Sequence, residues 1–96
     1  MKESVQRELE KSFEYVSNLV KALLANHENY FSNGYLNSEG WKIVNIIAKV
    51  LPRKGIHVQG LVRKIRANPS YDNVASTLNT LLEYLKDFRA NHLDAE

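Results

Sequence analysis

The sequence contains no cysteine, which excludes disulfide bonds, thiolate nucleophiles and cysteine-ligated metal sites. It has only two prolines and four glycines, so few positions are expected to interrupt regular structure. No apolar run approaches the roughly 18 residues that a membrane-spanning helix requires. The charged N-terminal segment 1–8 lacks the apolar stretch of a secretory signal. We therefore expect a cytoplasmic protein.

The composition of the chain is that of one ordinary folded domain. Hydrophobic residues make up 44% of the 96 positions and charged residues 25%, which suits a soluble globular protein. Two separate cores would each be too small to fold without disulfides or metal ions. We therefore expect a single domain over residues 1–96.

Four segments place apolar residues at every third or fourth position, the spacing of an amphipathic helix. This spacing predicts helix A over about 4–25, helix B over 38–51, helix C over 57–66 and helix D over 71–90. No segment shows the sustained alternation that is typical of a strand. We therefore expect an all-α fold, a compact antiparallel four-helix bundle in which helix C is short.

Polar residues, proline and glycine mark the ends of these helices. Ser38 is the expected N-cap of helix B, because its hydroxyl can accept a hydrogen bond from an unpaired backbone N–H. Pro52 is expected to end helix B at the preceding residue, and Gly55 to adopt a left-handed turn. Either Ser70 or Asp72 could cap helix D.

Charge is distributed unevenly along the chain. Residues 40–71 contain seven basic residues and no acidic one, whereas the rest of the chain has six basic and eleven acidic residues. The formal charge of +2 therefore conceals a basic middle third. If these side chains converge, they would attract phosphates, anionic lipid or an acidic protein face, whereas the alternative is a set of solvated helix faces. The candidate binding surface consists of Lys49, Arg53, Lys54, Arg63, Lys64 and Arg66.

The connection between helices A and B is rich in aromatic residues. Four of the nine aromatic residues lie within twelve positions, and Asn33 and Gly34 among them can form a tight turn. Exposed rings would anchor a partner, whereas buried rings would close one end of the bundle, which is the interpretation we favour. The candidate aromatic interface consists of Tyr30, Phe31, Tyr35 and Trp41.

Patterns typical of catalysis or metal binding are missing from the sequence. The three histidines are at least thirty positions apart, and no zinc, phosphate-binding or nucleophile motif occurs. We therefore expect no enzymatic activity, no metal, no cofactor and no small-molecule substrate.

The order helix B, short basic turn and basic helix C resembles a DNA-binding helix-turn-helix. In that motif the base-reading side chains lie near the start of the second helix, where this sequence offers only His57 and Gln59. Nucleic-acid binding through the basic 42–66 surface therefore stays as an alternative function.

An apolar helix over 43–51, a glycine-containing turn and a helix with spaced leucine and valine residues within 53–65 follow one another in the chain. In this segment, in length and in helix order, the chain resembles the class IIa (pediocin-like) bacteriocin immunity proteins. The resemblance implies a cytosolic helical bundle that recognises a bacteriocin-occupied membrane receptor complex from inside the cell. It also implies that specificity lies in helix D and its tail, and that the basic 53–66 region faces the receptor or the inner leaflet.

These observations together predict a small, non-enzymatic, cytoplasmic interaction protein. Its expected partner is a protein, for which the resemblance suggests a membrane receptor complex. The alternatives are a nucleic acid, an anionic membrane surface, or a regulatory or adaptor role that uses the same basic surface.

Overall fold

The computed structural model describes the backbone of residues 2–92 and the side chains of residues 10–88 and Ala90. This part of the chain is mostly helical, as the apolar spacing predicts, with one small hairpin. The elements in chain order are α1 (Lys2–Ala25), α2 (His27–Tyr30), β1 (Phe31–Ser32), β2 (Tyr35–Leu36), α3 (Ser38–Arg53), α4 (Gln59–Ala67) and α5 (Tyr71–His92). The C-terminal tail, to which the family resemblance assigns part of the specificity, lies outside the described residues.

The four predicted helices correspond to α1, α3, α4 and α5, and their ends agree within two residues. The apolar positions that predicted them form one buried cluster, with α1 packed on α3 and α5, and α4 packed on α5 and α3. Six members of this cluster have no exposed surface: Val16, Val20, Leu23, Leu51, Ile56 and Val74.

Helix α3 is capped by Asn37, and the prediction that Ser38 is its N-cap is wrong. The Asn37 Oδ1 atom accepts a hydrogen bond from the Gly40 N–H at 3.0 Å. The same side chain donates through Nδ2 to the Asn29 carbonyl at 3.0 Å. The Asn37 amide can accept a hydrogen bond at the start of α3 and donate another to α2 at the same time. The Ser38 hydroxyl cannot make both bonds, because Ser38 already lies within the first turn of α3.

Helix α3 ends at Arg53, two residues beyond the predicted end, with Pro52 inside its last turn. The Ile56 N–H donates to the Leu51 carbonyl and the Gly55 N–H to the Pro52 carbonyl, each at 3.0 Å. These are the two bonds of a Schellman motif, and Gly55 takes the expected left-handed conformation with φ of 80°. Proline is tolerated there because it removes only one helical bond, and the motif satisfies the terminal carbonyls.

The connection between α1 and α3 contains a helical turn and a two-residue hairpin that the sequence did not predict. In the hairpin Phe31 pairs with Leu36 in antiparallel register. Asn33 and Gly34 have φ of 55° and 85°, and positive values at both central residues are typical of a type I′ turn. The predicted turn is thus confirmed at these two residues.

The hairpin is hydrogen-bonded to the connection between α4 and α5. The Leu36 N–H donates to the Pro69 carbonyl at 3.0 Å, and the Tyr71 N–H donates to the Gly34 carbonyl at 2.8 Å. These bonds tie two connections that are more than thirty residues apart in sequence, and they hold one end of the molecule together.

Helix α5 is capped by Ser70, one of the two predicted caps, whose Oγ accepts from the Asn73 N–H at 3.4 Å. Asp72 lies in the first turn of the helix. The Asn73 side chain also reaches back and donates to the carbonyls of Lys64, at 2.9 Å, and Asn68, at 2.6 Å. Because Lys64 belongs to the last turn of α4, this amide fixes the end of α4 against the start of α5.

Candidate binding surface

A groove of about 300 Å³ lies between the last two turns of α3 and the outer face of α4. Its lining includes two buried valines and two arginines. No acidic and no aromatic side chain lines the groove, which we call the α3–α4 groove. Its lining residues are Ala48, Pro52, Val58, Gln59, Val62, Arg63 and Arg66.

Helical spacing brings these residues together from two separate segments. Ala48 and Pro52 are four residues apart on α3 and therefore share a face. Both have short side chains, so the α3 wall of the groove is shallow. On α4, Gln59, Arg63 and Arg66 follow at intervals of four and three, which places them on one face of that helix.

The positive charge of the groove lies on its α4 side. Arg63 and Arg66 are exposed, and among the described side chains no carboxylate forms an ion pair with either. On α3, Lys49 and Arg53 are also exposed and directly follow the two residues that line the groove. Two of the six predicted basic residues, Arg63 and Arg66, therefore line the groove, whereas Lys49 and Arg53 lie on α3 without lining it.

Lys64 lies in a different place from its neighbour Arg63. It lines a second groove of about 320 Å³ between α4 and α5, together with His57, Thr80 and Tyr84. Lys54 is the C-cap residue of α3, and its N–H donates to the Leu51 carbonyl at 2.9 Å. The structure thus divides the predicted basic surface, and only part of it belongs to the α3–α4 groove.

The four predicted aromatic residues do not form one exposed cluster. Phe31 is buried and packs edge-on against Tyr71, with ring centroids 5.1 Å apart. Tyr30 and Trp41 are partly buried against the core. Tyr35, which is 55% exposed on the hairpin, is the member of this set that faces solvent. Of the two alternatives stated for these rings, Phe31 follows burial and Tyr35 follows exposure.

The sequence interpretation missed the α3 wall of the groove. Ala48 carries no charge and Pro52 was assigned to a connection, so neither was a candidate site residue. Gln59 was considered only as a contact to bases. The signal that could have found it is its position four residues before Arg63 on one helix.

Among the described residues, no group of three histidine, aspartate or glutamate side chains could hold a metal ion. Within the same residues, no helix is both long enough and apolar enough to cross a membrane.

No protein-family model matches the chain. Neither a curated protein nor a solved structure matches it either. The chemistry and the shape of the α3–α4 groove are therefore the basis for assigning a function.

Proposed function

We propose that the chain is a non-catalytic binding protein that recognises an acidic surface of a protein partner through the α3–α4 groove. The observation that carries this proposal is the combination of Arg63 and Arg66 with an apolar lining and no acidic side chain. A guanidinium group donates several hydrogen bonds in a plane that matches a carboxylate. The apolar lining can at the same time remove a partner's side chain from water.

A protein partner fits the groove better than a nucleic acid does. Single-stranded nucleic acids are held by stacking on aromatic side chains, and none lines this groove. For duplex DNA the start of α4 would have to read base edges, and the arginines lie in the later part of that helix. Nucleic-acid binding remains the alternative that the experiment below distinguishes.

The proposal includes an arrangement for the helices. We propose that α1, α3, α4 and α5 form an antiparallel four-helix bundle, closed at one end by α2 and the hairpin. The pairwise packing of α1 on α3 and α5, and of α4 on α5 and α3, supports this arrangement. In such a bundle the α3–α4 groove lies on one outer edge.

Arg63 and Lys64 are adjacent residues of α4 that carry the same charge but line different grooves. Arg63→Glu is expected to weaken binding to fluorescein-labelled poly-L-glutamate about tenfold, which corresponds to about 1.4 kcal/mol. Lys64→Glu makes the same change of charge in the neighbouring groove, and is expected to weaken binding less than threefold. Fluorescence anisotropy at low ionic strength measures both, because added salt screens exposed charges.

Two results would contradict the proposal. Equal losses in Arg63→Glu and Lys64→Glu would show that the overall charge, and not the groove, attracts the polyanion. Tighter binding of duplex DNA than of poly-L-glutamate, with the same dependence on Arg63, would replace the protein partner by a nucleic acid.

The resemblance to class IIa bacteriocin immunity proteins gives this binding function a concrete setting. The segments that carry the resemblance, 43–51 and 53–65, contain five of the seven residues that line the α3–α4 groove, and Pro52 and Arg66 lie outside them. In this setting the protein acts in the cytoplasm, and the acidic partner belongs to a membrane receptor complex.

Expression of the chain in a bacteriocin-sensitive strain tests this setting. Resistance to one class of bacteriocin is expected, and Arg63→Glu is expected to reduce it while Lys64→Glu does not. Unchanged killing across a panel of pediocin-like bacteriocins, with the protein present in the cytoplasm, would remove the immunity function and leave the binding function to be tested separately.

A further inference from the structure

We infer that the α3–α4 groove holds a helix of the partner protein: an amphipathic helix that presents acidic side chains to Arg63 and Arg66 and an apolar side chain to the α3 wall formed by Ala48 and Pro52. This inference rests on the proposed function, because it names the kind of acidic surface that the groove binds.

The backbone chemistry of the groove favours a helix over an extended peptide. Both walls are helices, in which most N–H and C=O groups are bonded within the helix, so they offer no continuous row of free backbone groups for an added strand. Proline-rich peptides need aromatic-lined grooves, and no aromatic residue lines this one. A helical ligand satisfies its own backbone and needs only side-chain contacts from the groove.

The spacing of the two arginines matches acidic residues on a helix. Arg63 and Arg66 are three residues apart on α4, a spacing that brings Cβ atoms to about 5–6 Å. Two acidic residues at the same spacing, or four apart, on a partner helix have a similar separation. Each arginine can therefore pair with one acidic residue when the two helices pack side by side.

The size of the groove sets the extent of the contact. Helix α4 has nine residues and is therefore about 13 Å long, which corresponds to two or three turns of a partner helix. The volume of about 300 Å³ is at the lower end for ligand pockets, and suits one or two apolar side chains. Val58 and Val62 are buried, so Pro52, which is exposed, and Ala48, which is partly exposed, supply the apolar surface that a partner side chain can reach.

The charge around the groove selects an acidic helix over a neutral or basic one. Lys49 and Arg53 are exposed on α3 and add positive charge to this part of the molecule, although they do not line the groove. No acidic residue occurs in the sequence between positions 40 and 71 to offset it. A basic helix would be repelled by the arginines of the α4 wall.

Selection from two peptide libraries displayed on phage tests the inference with the full chain as target. One library randomises the exposed face of a stable helical hairpin, and the other randomises a disulfide-closed loop. We expect the helical library to yield binders with two acidic residues three or four apart next to a large apolar residue. Arg63→Glu/Arg66→Glu in the protein is expected to weaken these binders at least thirtyfold, and Lys64→Glu less than threefold.

A charge exchange provides the specific control. Replacing the two acidic residues of a selected helix by lysine is expected to restore most of its affinity for Arg63→Glu/Arg66→Glu and to abolish binding to the original protein. Because both arginines are exposed, the variant should keep its helical circular dichroism, and its melting temperature should fall by only a few degrees, since reversing the charge of Arg66 in the last turn of α4 opposes the helix dipole.

Each result that contradicts the inference leads to a different conclusion about the groove. Acidic binders from the loop library alone would overturn the helical occupant and leave the proposed function standing. Binders that are not acidic, or that are insensitive to the arginine substitutions, would overturn both. Self-association of the chain that is lost in Arg63→Glu/Arg66→Glu would assign the groove to a second copy and overturn a foreign helix. Displacement of the helical binders by a tighter-binding duplex DNA would assign it to a nucleic acid.

Discussion

Gly40→Ala is expected to lower the free energy of unfolding by about 2–3 kcal/mol, because the backbone around Gly40 leaves no room for a methyl group. A Cβ atom there would collide with the Tyr30 carbonyl oxygen and with the Leu36 side chain. The Tyr30 carbonyl cannot simply move away, since it accepts a hydrogen bond from the Asn37 N–H at 3.0 Å. The collision would therefore separate the start of α3 from α2 and the hairpin.

Gly60→Ala provides the matched control in another helix. A Cβ atom at Gly60 meets nothing within 4 Å. Alanine restricts the unfolded chain and favours a helix, so a stabilisation of about 0.5–1 kcal/mol is expected. Urea denaturation of the two variants measures the difference. Similar free energies of unfolding for both variants would contradict the close packing at Gly40.

Leu51→Ala is expected to cost about 3–4 kcal/mol, the range for a fully buried leucine whose site cannot collapse. Leu51 has no exposed surface, and it lies in the last turn of α3 where the Schellman motif fixes the backbone. Ile56, also fully buried, follows that motif. In this motif the residues at these two positions commonly pack together, so the truncation would leave a cavity beside the motif.

Leu82→Ala makes the same chemical change at a partly buried position of α5 and is expected to cost about 1–2 kcal/mol. Thermal denaturation distinguishes the two variants, because a loss of 1 kcal/mol in stability lowers the melting temperature by about 4–8 °C in a domain of this size. A melting temperature for Leu51→Ala as high as that of Leu82→Ala would show that Leu51 does not belong to the centre of the core.

Much of the helical structure was predictable because its signal is local. Apolar residues such as Val16, Val20 and Leu23 recur at helical spacing, and this spacing holds whatever the helix packs against. The left-handed conformation of Gly55 and the cap by Ser70 are also local preferences. These features therefore agree with the structure to within two residues.

The features that were missed depend on contacts distant in sequence. The hairpin has strands of only two residues, too short for an alternating pattern, and it is held by bonds to Pro69 and Tyr71. Asn37 replaces Ser38 as the cap because the same amide also reaches Asn29. The local sequence around the hairpin or around the start of α3 therefore does not predict either feature.

The binding surface was predictable in composition but not in arrangement. The sequence shows that residues 40–71 are basic, yet adjacent residues on a helix point about 100° apart. Arg63 therefore faces α3 and Lys64 faces α5, a division that depends on how α4 packs. Pro52 lines the groove because α3 continues through it to Arg53, which its usual role as a helix terminator does not predict.

The most direct test of the claim that the α3–α4 groove is the binding surface is amide chemical-shift mapping by NMR during a titration with poly-L-glutamate. We predict that the largest shifts occur at the groove residues that carry an N–H, such as Ala48, Gln59 and Arg63. Largest shifts around Tyr35 on the hairpin, or around Tyr84 beside the α4–α5 groove, would contradict the account.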